Sequence, residues 1–159
     1  MTVTSVHKDP ETRTMTLTAE FAATAAGVWQ LWADPRRLER WWGPPTHPAT
    51  VVEHDLRPGG KVSYFVTGPD GERSPGWWRV LAVAAPHGLE FELGDPGIPA
   101  LLVRVRIEEG AGGGTRMVIV TTFPSADAMD QLIGIGFEQG LASAVGQIDG
   151  VLGAAPTTG

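Results

Sequence analysis

No cysteine occurs anywhere in the 159 residues. That absence excludes a disulfide framework, thiolate metal ligands and a cysteine nucleophile, and it suits a reducing cytosol. Positive charge is scarce as well: 12 Lys and Arg stand against 18 Asp and Glu, giving a formal charge of -6. Such a balance argues against a nucleic-acid partner, whose affinity rests on clustered cations. Only Lys8 and Lys61 are lysines, and with abundant Gly, Ala and Pro this suggests a GC-rich bacterial coding bias. The densest basic cluster, Arg36, Arg37 and Arg40, is best read as a solvated helix face. No apolar run approaches the ~18 residues that a spanning helix needs. The opening MTVTSVHKDPETRT has neither the basic head nor the apolar stretch of a signal peptide. These features lead us to expect a soluble cytoplasmic protein with no membrane insertion. The length suits a single domain over residues 1–159, with an ordered core from about residue 12 to about residue 153.

Catalytic chemistry is also thinly supplied. The histidines are His7, His47, His54 and His87, and none has metal-ligand spacing, so neither a metal nor a cofactor is expected. His54 and Asp55 are strand neighbours that point to opposite faces and cannot form a dyad. An inward His54 could serve as a base, although a hydrogen-bonded structural histidine is the favoured reading. His7 falls in a segment that reads as a tail. No phosphate-binding glycine loop stands between a strand and a helix.

What the chain does have is tryptophan. All six, Trp29, Trp32, Trp41, Trp42, Trp77 and Trp78, lie between positions 29 and 78. At ~25 cal/mol per Å² and ~200 Å² per ring, burying each indole is worth ~5 kcal/mol before entropy is charged. One aromatic-lined region is implied. Asp34 can cap a short helix running to Trp42, Pro35 suits its first position, and Gly43-Pro44 ends it, so two adjacent indoles sit at a fixed helix exit.

Periodicity supplies the frame. Residues 14 to 22 alternate with Met15, Leu17, Ala19 and Phe21 on one face, which is a half-buried strand. Helical spacing of Val28, Leu31 and Trp32 follows, then the short helix from Asp34. From residue 49 to Phe123 six further strands alternate, punctuated by turn sequences such as Arg57-Pro58-Gly59-Gly60 and Pro69-Asp70-Gly71-Glu72. Glu53, Glu90, Glu92 and Glu108 belong on the outer face. Ser125 caps a helix expected to run unbroken to about Leu152. Along it Ile133, Phe137, Leu141, Val145 and Ile148 make a ridge beside a trough at Gly136, Gly140 and Ala144. Each interior glycine costs ~1 kcal/mol relative to alanine. Either the helix approaches the sheet closely or the missing side chains leave room for something else.

The fold class that follows is α+β: a curved antiparallel sheet wrapped around a long C-terminal helix, with two short helices after the first strand. Alternation sends Trp77 and Trp78 to opposite faces, and an exposed outer Trp77 would suggest a homodimer or partner surface.

At this point the residues resemble a known family. The segments are Val28-Trp29-Gln30-Leu31-Trp32 with Asp34-Pro35 and Leu38, Arg40-Trp41-Trp42-Gly43-Pro44, Asp55-Leu56-Arg57-Pro58-Gly59-Gly60, Pro69-Asp70-Gly71, Gly76, Gly114-Thr115-Arg116 and Gly136-Phe137-Glu138-Gln139-Gly140-Leu141. They are similar to the START-like superfamily, also called SRPBCC or the polyketide cyclase and lipid-transport superfamily. Within it they look most like the bacterial AHSA-type proteins, similar to the C-terminal domain of the activator of heat-shock-protein ATPase. The resemblance implies a helix-grip fold with a deep cavity between sheet and helix. It also implies functions ranging over ligand binding, cyclase-type catalysis and chaperone contact, among which fold alone does not choose. Two departures stand out: Val80 replaces an inward acidic residue of the family pattern, and Phe137 replaces a tryptophan.

The leading expectation is therefore a binder of a small hydrophobic or aromatic molecule. The ligand-lining candidates are Trp29, Trp41, Trp42, Tyr64 and Trp78, then Val80, Phe91, Met117 and Ile119, and on the last helix Gly136, Phe137, Gly140 and Leu141. The alternatives are a cyclase or hydratase using Tyr64 or His54 for proton transfer, and a co-chaperone or regulatory interaction module.

Overall fold

A computed structural model of the protein describes residues 3–43, 45–95, 98–110, 114–148 and 150–151. The alternating segments form β1 (Val3–Asp9), β2 (Thr14–Phe21), β3 (Ala49–His54), β4 (Lys61–Thr67), β5 (Arg73–Ala84), β6 (Gly88–Asp95), β7 (Ile98–Glu109) and β8 (Thr115–Thr122). All pair antiparallel in one open sheet of order β1-β2-β8-β7-β6-β5-β4-β3. Two short helices, α1 (Ala25–Ala33) and α2 (Pro35–Leu38), link β2 to β3, and α3 (Ala126–Gly134) and α4 (Phe137–Gly146) follow β8. This is the α+β architecture that the periodicity implies.

Period-two burial runs through the sheet. On β2, Met15, Leu17, Ala19 and Phe21 are buried, and on β8 so are Thr115, Met117, Ile119 and Thr121. The register Leu17↔Ile119 and Ala19↔Met117 brings these inward rows side by side. The outer face carries ion pairs across neighbouring strands, including Arg79–Glu92 and Arg104–Glu90. Exposed pairs of this kind are worth at most ~1 kcal/mol each and mainly keep the face solvated.

Three expectations change. The N-terminal segment, read as a tail outside a core beginning near residue 12, instead forms β1 and pairs with β2 from Val3↔Ala19 to Asp9↔Thr14. Its sequence hides the strand because an edge strand needs only one packed side chain: Val6 meets the core, while His7 and Lys8 face water. The short helix after Asp34 is four residues long and continues only as hydrogen-bonded turns, with the Trp42 N–H donating to the Leu38 carbonyl at 3.0 Å. Asp34 does cap it, accepting from the Arg36 N–H, and Pro35 occupies the first turn. Pro44 lies outside the described residues.

The third change bears on the site. The helix expected to run unbroken from Ser125 to about Leu152 is broken into α3 and α4, with Gly136 between them at φ 101°, and residues 148 and 150–151 beyond α4 are again helical. A left-handed backbone of that kind strains any residue with a Cβ, so glycine is the residue that can turn the chain there. Ser125 caps α3, accepting from the Ala128 N–H at 3.0 Å. Because of the break, α3 can pack Met129 and Leu132 on Met15, Leu101 and Phe123 while Ala144 and Val145 of α4 join the main core. Leu152 lies outside the described residues.

Candidate functional site

The aromatic region resolves into a solid floor and one free wall. Trp32, Trp41 and Trp78 are wholly buried. Each of the first two has its indole N–H engaged, Trp41 with the Leu31 carbonyl at 3.0 Å and Trp32 with the Met117 sulfur at 3.3 Å. Trp78 stacks on Phe91 with centroids 4.1 Å apart. Its own N–H is the one fully buried side-chain polar atom without a hydrogen-bond partner among the described residues. Trp42 stands edge-on to Trp78 at 4.9 Å and to Tyr64 at 6.1 Å. Edge-to-face pairs contribute ~0.5–1.5 kcal/mol beyond burial, so this cluster holds Trp42 in place while its other surface stays uncovered.

That surface faces a cavity of about 230 Å³ between the sheet and α4. One end is closed by Trp42 and Gly43. Tyr64 and Val66 of β4 and Ser74, Pro75 and Gly76 of β5 form one side. Leu93, Val103, Ile119 and Thr121 supply the sheet floor, and Phe137, Gly140 and Leu141 the helix side.

Two glycines shape this space in different ways. A Cβ on Gly76 would lie 2.6 Å from the Tyr64 hydroxyl oxygen, so the phenol crosses β5 where no side chain can stand. At Gly140 an added Cβ would meet nothing within 4 Å. Of the two alternatives for the glycine trough, Gly140 therefore leaves room; it does not mark a close helix–sheet contact. Gly136 fits neither, since its role is conformational.

The mouth is tied to α4 by one side chain. Gln147 donates from Nε2 to the Gly43 carbonyl at 2.7 Å and to the Trp41 carbonyl at 3.3 Å. Gly43 itself admits no side chain, because a Cβ there would land on the His47 carbonyl oxygen. On the other side of this segment, α2 covers the edge of the sheet. Glu39 accepts from the Val51 N–H at 3.0 Å and Arg36 donates to the Val51 carbonyl at 3.1 Å, so these edge groups of β3 are satisfied by side chains. Arg36 is thus a structural cation and not part of a purely solvated face.

Of the sequence-derived ligand candidates, the structure brings Trp42, Tyr64, Ile119, Phe137, Gly140 and Leu141 together around the cavity. It puts Trp29, Trp41, Trp78, Val80, Phe91 and Met117 in the packed core instead. Gly136 sits at the turn into α4. Sequence reasoning missed Val66, Ser74, Pro75, Gly76, Leu93, Val103 and Thr121 as lining residues. Alternation from Ile119 would have found Thr121, and the register Val103↔Thr121 then supplies its neighbour. His54, the weak catalytic candidate, hydrogen-bonds through Nε2 to the Trp32 carbonyl at 2.9 Å and is absent from the cavity wall. His87 similarly meets the Ile107 carbonyl through Nδ1 at 3.1 Å. Among the described residues no group of His, Asp and Glu could hold a metal ion. Trp77, expected to be an exposed indole on the outer face, is half-buried and lies against Gly94, where a Cβ would collide with its ring. No described helix is long and apolar enough to cross a membrane.

An open antiparallel sheet with C-terminal helices closing an apolar cavity against it defines a helix-grip protein of the START-like class. The chain belongs to the family described as activator of Hsp90 ATPase homolog 1-like protein, whose model matches residues 22–153. It is similar to the crystal structure of protein Ms6760 from Mycobacterium smegmatis, with 48% identity and a TM-score of 0.86, over 96% of this chain and 98% of that one. A solution structure of a protein from Arthrobacter aurescens shares 42% identity with a TM-score of 0.91, over 98% of this chain and 94% of that one. The AHSA1 protein from Silicibacter pomeroyi, at 21% identity and a TM-score of 0.72 over 89% of this chain and 98% of that one, shares the fold. No curated protein matches the chain.

Proposed function

We propose that this protein binds a compact, mainly apolar small molecule in the cavity between the sheet and α4. The observation that carries the proposal is the cavity of about 230 Å³ walled by Trp42, Tyr64 and Phe137 and left open at Gly140. Its size lies just below the ~300–1,000 Å³ of drug-sized clefts, which supports a one- or two-ring compound over a long acyl chain. Burying ~150 Å² of such a ligand at ~25 cal/mol per Å² supplies ~4 kcal/mol before association costs, so hydrogen bonds must add to the affinity. The hydroxyls of Tyr64, Ser74 and Thr121 belong to residues lining the same space.

Native mass spectrometry and tryptophan quenching against a panel of ring metabolites and fatty acids test the proposal. Binding by ring compounds, lost in Gly140→Leu because the new side chain fills the void, is the expected result. A panel with no binder below millimolar concentration would sink it.

A cyclase or hydratase in the same cavity is supported less well, since of its two proton-transfer candidates only Tyr64 lines the wall and His54 is engaged with the Trp32 carbonyl. The chaperone reading rests on the family's description, and a pull-down with the cognate chaperone decides it. A cytoplasmic location is supported by the absence of cysteine, which suits a reducing compartment. For a homodimer through the Trp77 face, the packing of Trp77 on Gly94 supports a structural role for the ring instead.

A further inference from the structure

We infer that the cavity selects uncharged ring compounds and rejects ionised ones; this rests on the cavity being the binding site proposed above. Among the described lining residues none carries a formal charge at neutral pH, and the polar side-chain groups are the hydroxyls of Tyr64, Ser74 and Thr121 and the indole N–H of Trp42. Hydroxyls both donate and accept, which suits a carbonyl, amide or alcohol and gives a full charge no counter-ion.

The cations on β4 and β5 are committed elsewhere. Arg73 precedes Ser74 on β5, and its guanidinium lies over the Phe65 ring at 4.6 Å. Phe65 in turn neighbours Tyr64 on β4, so alternation turns the Arg73–Phe65 pair away from the cavity side. Arg79 is paired with Glu92 at 3.0 Å, and Lys61 reaches toward Glu53. A carboxylate entering the cavity would leave water without meeting any of them. The formal charge of -6 on the whole chain adds an unfavourable background for anions.

A cation would fare better than an anion but worse than a neutral ligand. Trp42 and Tyr64 stand nearly perpendicular, at 83°, and the face of an aromatic ring attracts positive charge. That attraction is smaller than the cost of stripping water from an ammonium group with no carboxylate beside it. Neutral rings gain the same aromatic and apolar contact at no such cost.

Three probes of one shape test this on the full chain: naphthalene-2-carboxamide, naphthalene-2-carboxylate and naphthalen-2-ylmethylammonium, titrated calorimetrically at neutral pH. The amide is expected to bind and each ion to bind at least ~100-fold more weakly, the effect of an uncompensated charge leaving water. From pH 7 to pH 5 the carboxylate's apparent affinity should rise about tenfold per unit, because only its protonated form enters, while the amide's stays level. Either ion within tenfold of the amide, or a flat pH profile for the carboxylate, overturns the inference. It is also overturned if the amide fails while charged members of the wider panel bind, an outcome that leaves the cavity reading intact. If nothing in the panel binds, the cavity reading itself falls.

Discussion

Gln147 is the place where one atom exchange tests how the cavity mouth is held. Gln147→Glu keeps the side chain's length and shape and replaces the amide nitrogen with an oxygen that cannot donate. The Gly43 carbonyl, now 2.7 Å from Nε2, and the Trp41 carbonyl, at 3.3 Å, would both lose their donor and face a carboxylate oxygen. A lost hydrogen bond costs ~1 kcal/mol, and a part-buried acceptor left unpaired adds ~1–3 kcal/mol, so a total of ~2–4 kcal/mol is expected. For a domain of this size each kcal/mol moves Tm by ~2–4 °C, which predicts a fall of roughly 4–16 °C. Gln147→Met, which removes the same bonds without adding charge, should lose a similar ~2–4 kcal/mol, and any excess in Gln147→Glu then reads the repulsion between its carboxylate and the two carbonyls. Urea denaturation gives the free energies, and acrylamide quenching reads Trp42, which should become more accessible in both variants as its segment loosens from α4. If Gln147→Glu unfolds within ~0.5 kcal/mol of the parent and quenching is unchanged, the side chain does not tie the mouth.

Two glycines four residues apart should respond with opposite signs to the same substitution. Gly140→Ala is expected to stabilise by ~0.5–1 kcal/mol, since it gains helix propensity and its Cβ meets nothing within 4 Å. Gly136→Ala should instead cost ~1–2 kcal/mol because its φ of 101° is left-handed. Chemical denaturation of both checks this, and equal effects would mean that the helix is not broken at Gly136. Lys8→Ala removes the ion pair with Glu138, which ties β1 to α4; with Lys8 about 41% exposed, the loss should be no more than ~1 kcal/mol and should shrink in high salt. A larger, salt-independent loss would show that packing of the lysine stem, not charge, makes this contact.

Much of the frame is readable residue by residue because it depends on local geometry. Side chains alternate along any strand, so the inward rows Met15-Leu17-Ala19-Phe21 and Met117-Ile119-Thr121 follow from period two alone. Helix starts are equally local: Thr24, Asp34 and Ser125 each accept a bond from a backbone N–H two or three residues ahead. β1 escaped because an edge strand buries little and carries little apolar signal. The indole cluster announces an aromatic region, but alternation cannot divide it into floor and wall.

That division belongs to the tertiary structure. Tyr64 and Trp78 both turn inward on paired strands, yet Val62↔Trp78 and Tyr64↔Gly76 put one ring under Trp42 in the core and the other beside the void. Gly136 and Gly140 are the same residue in adjoining turns. One serves backbone conformation and the other serves empty space, because glycine tolerates either use and only the path of α4 assigns them. The sequence by itself determined which faces are apolar and where the elements begin, since these depend on near neighbours. Where the packed core ends and the cavity begins was decided by strand register and by where α4 packs on the sheet, which depend on residues far apart in the chain.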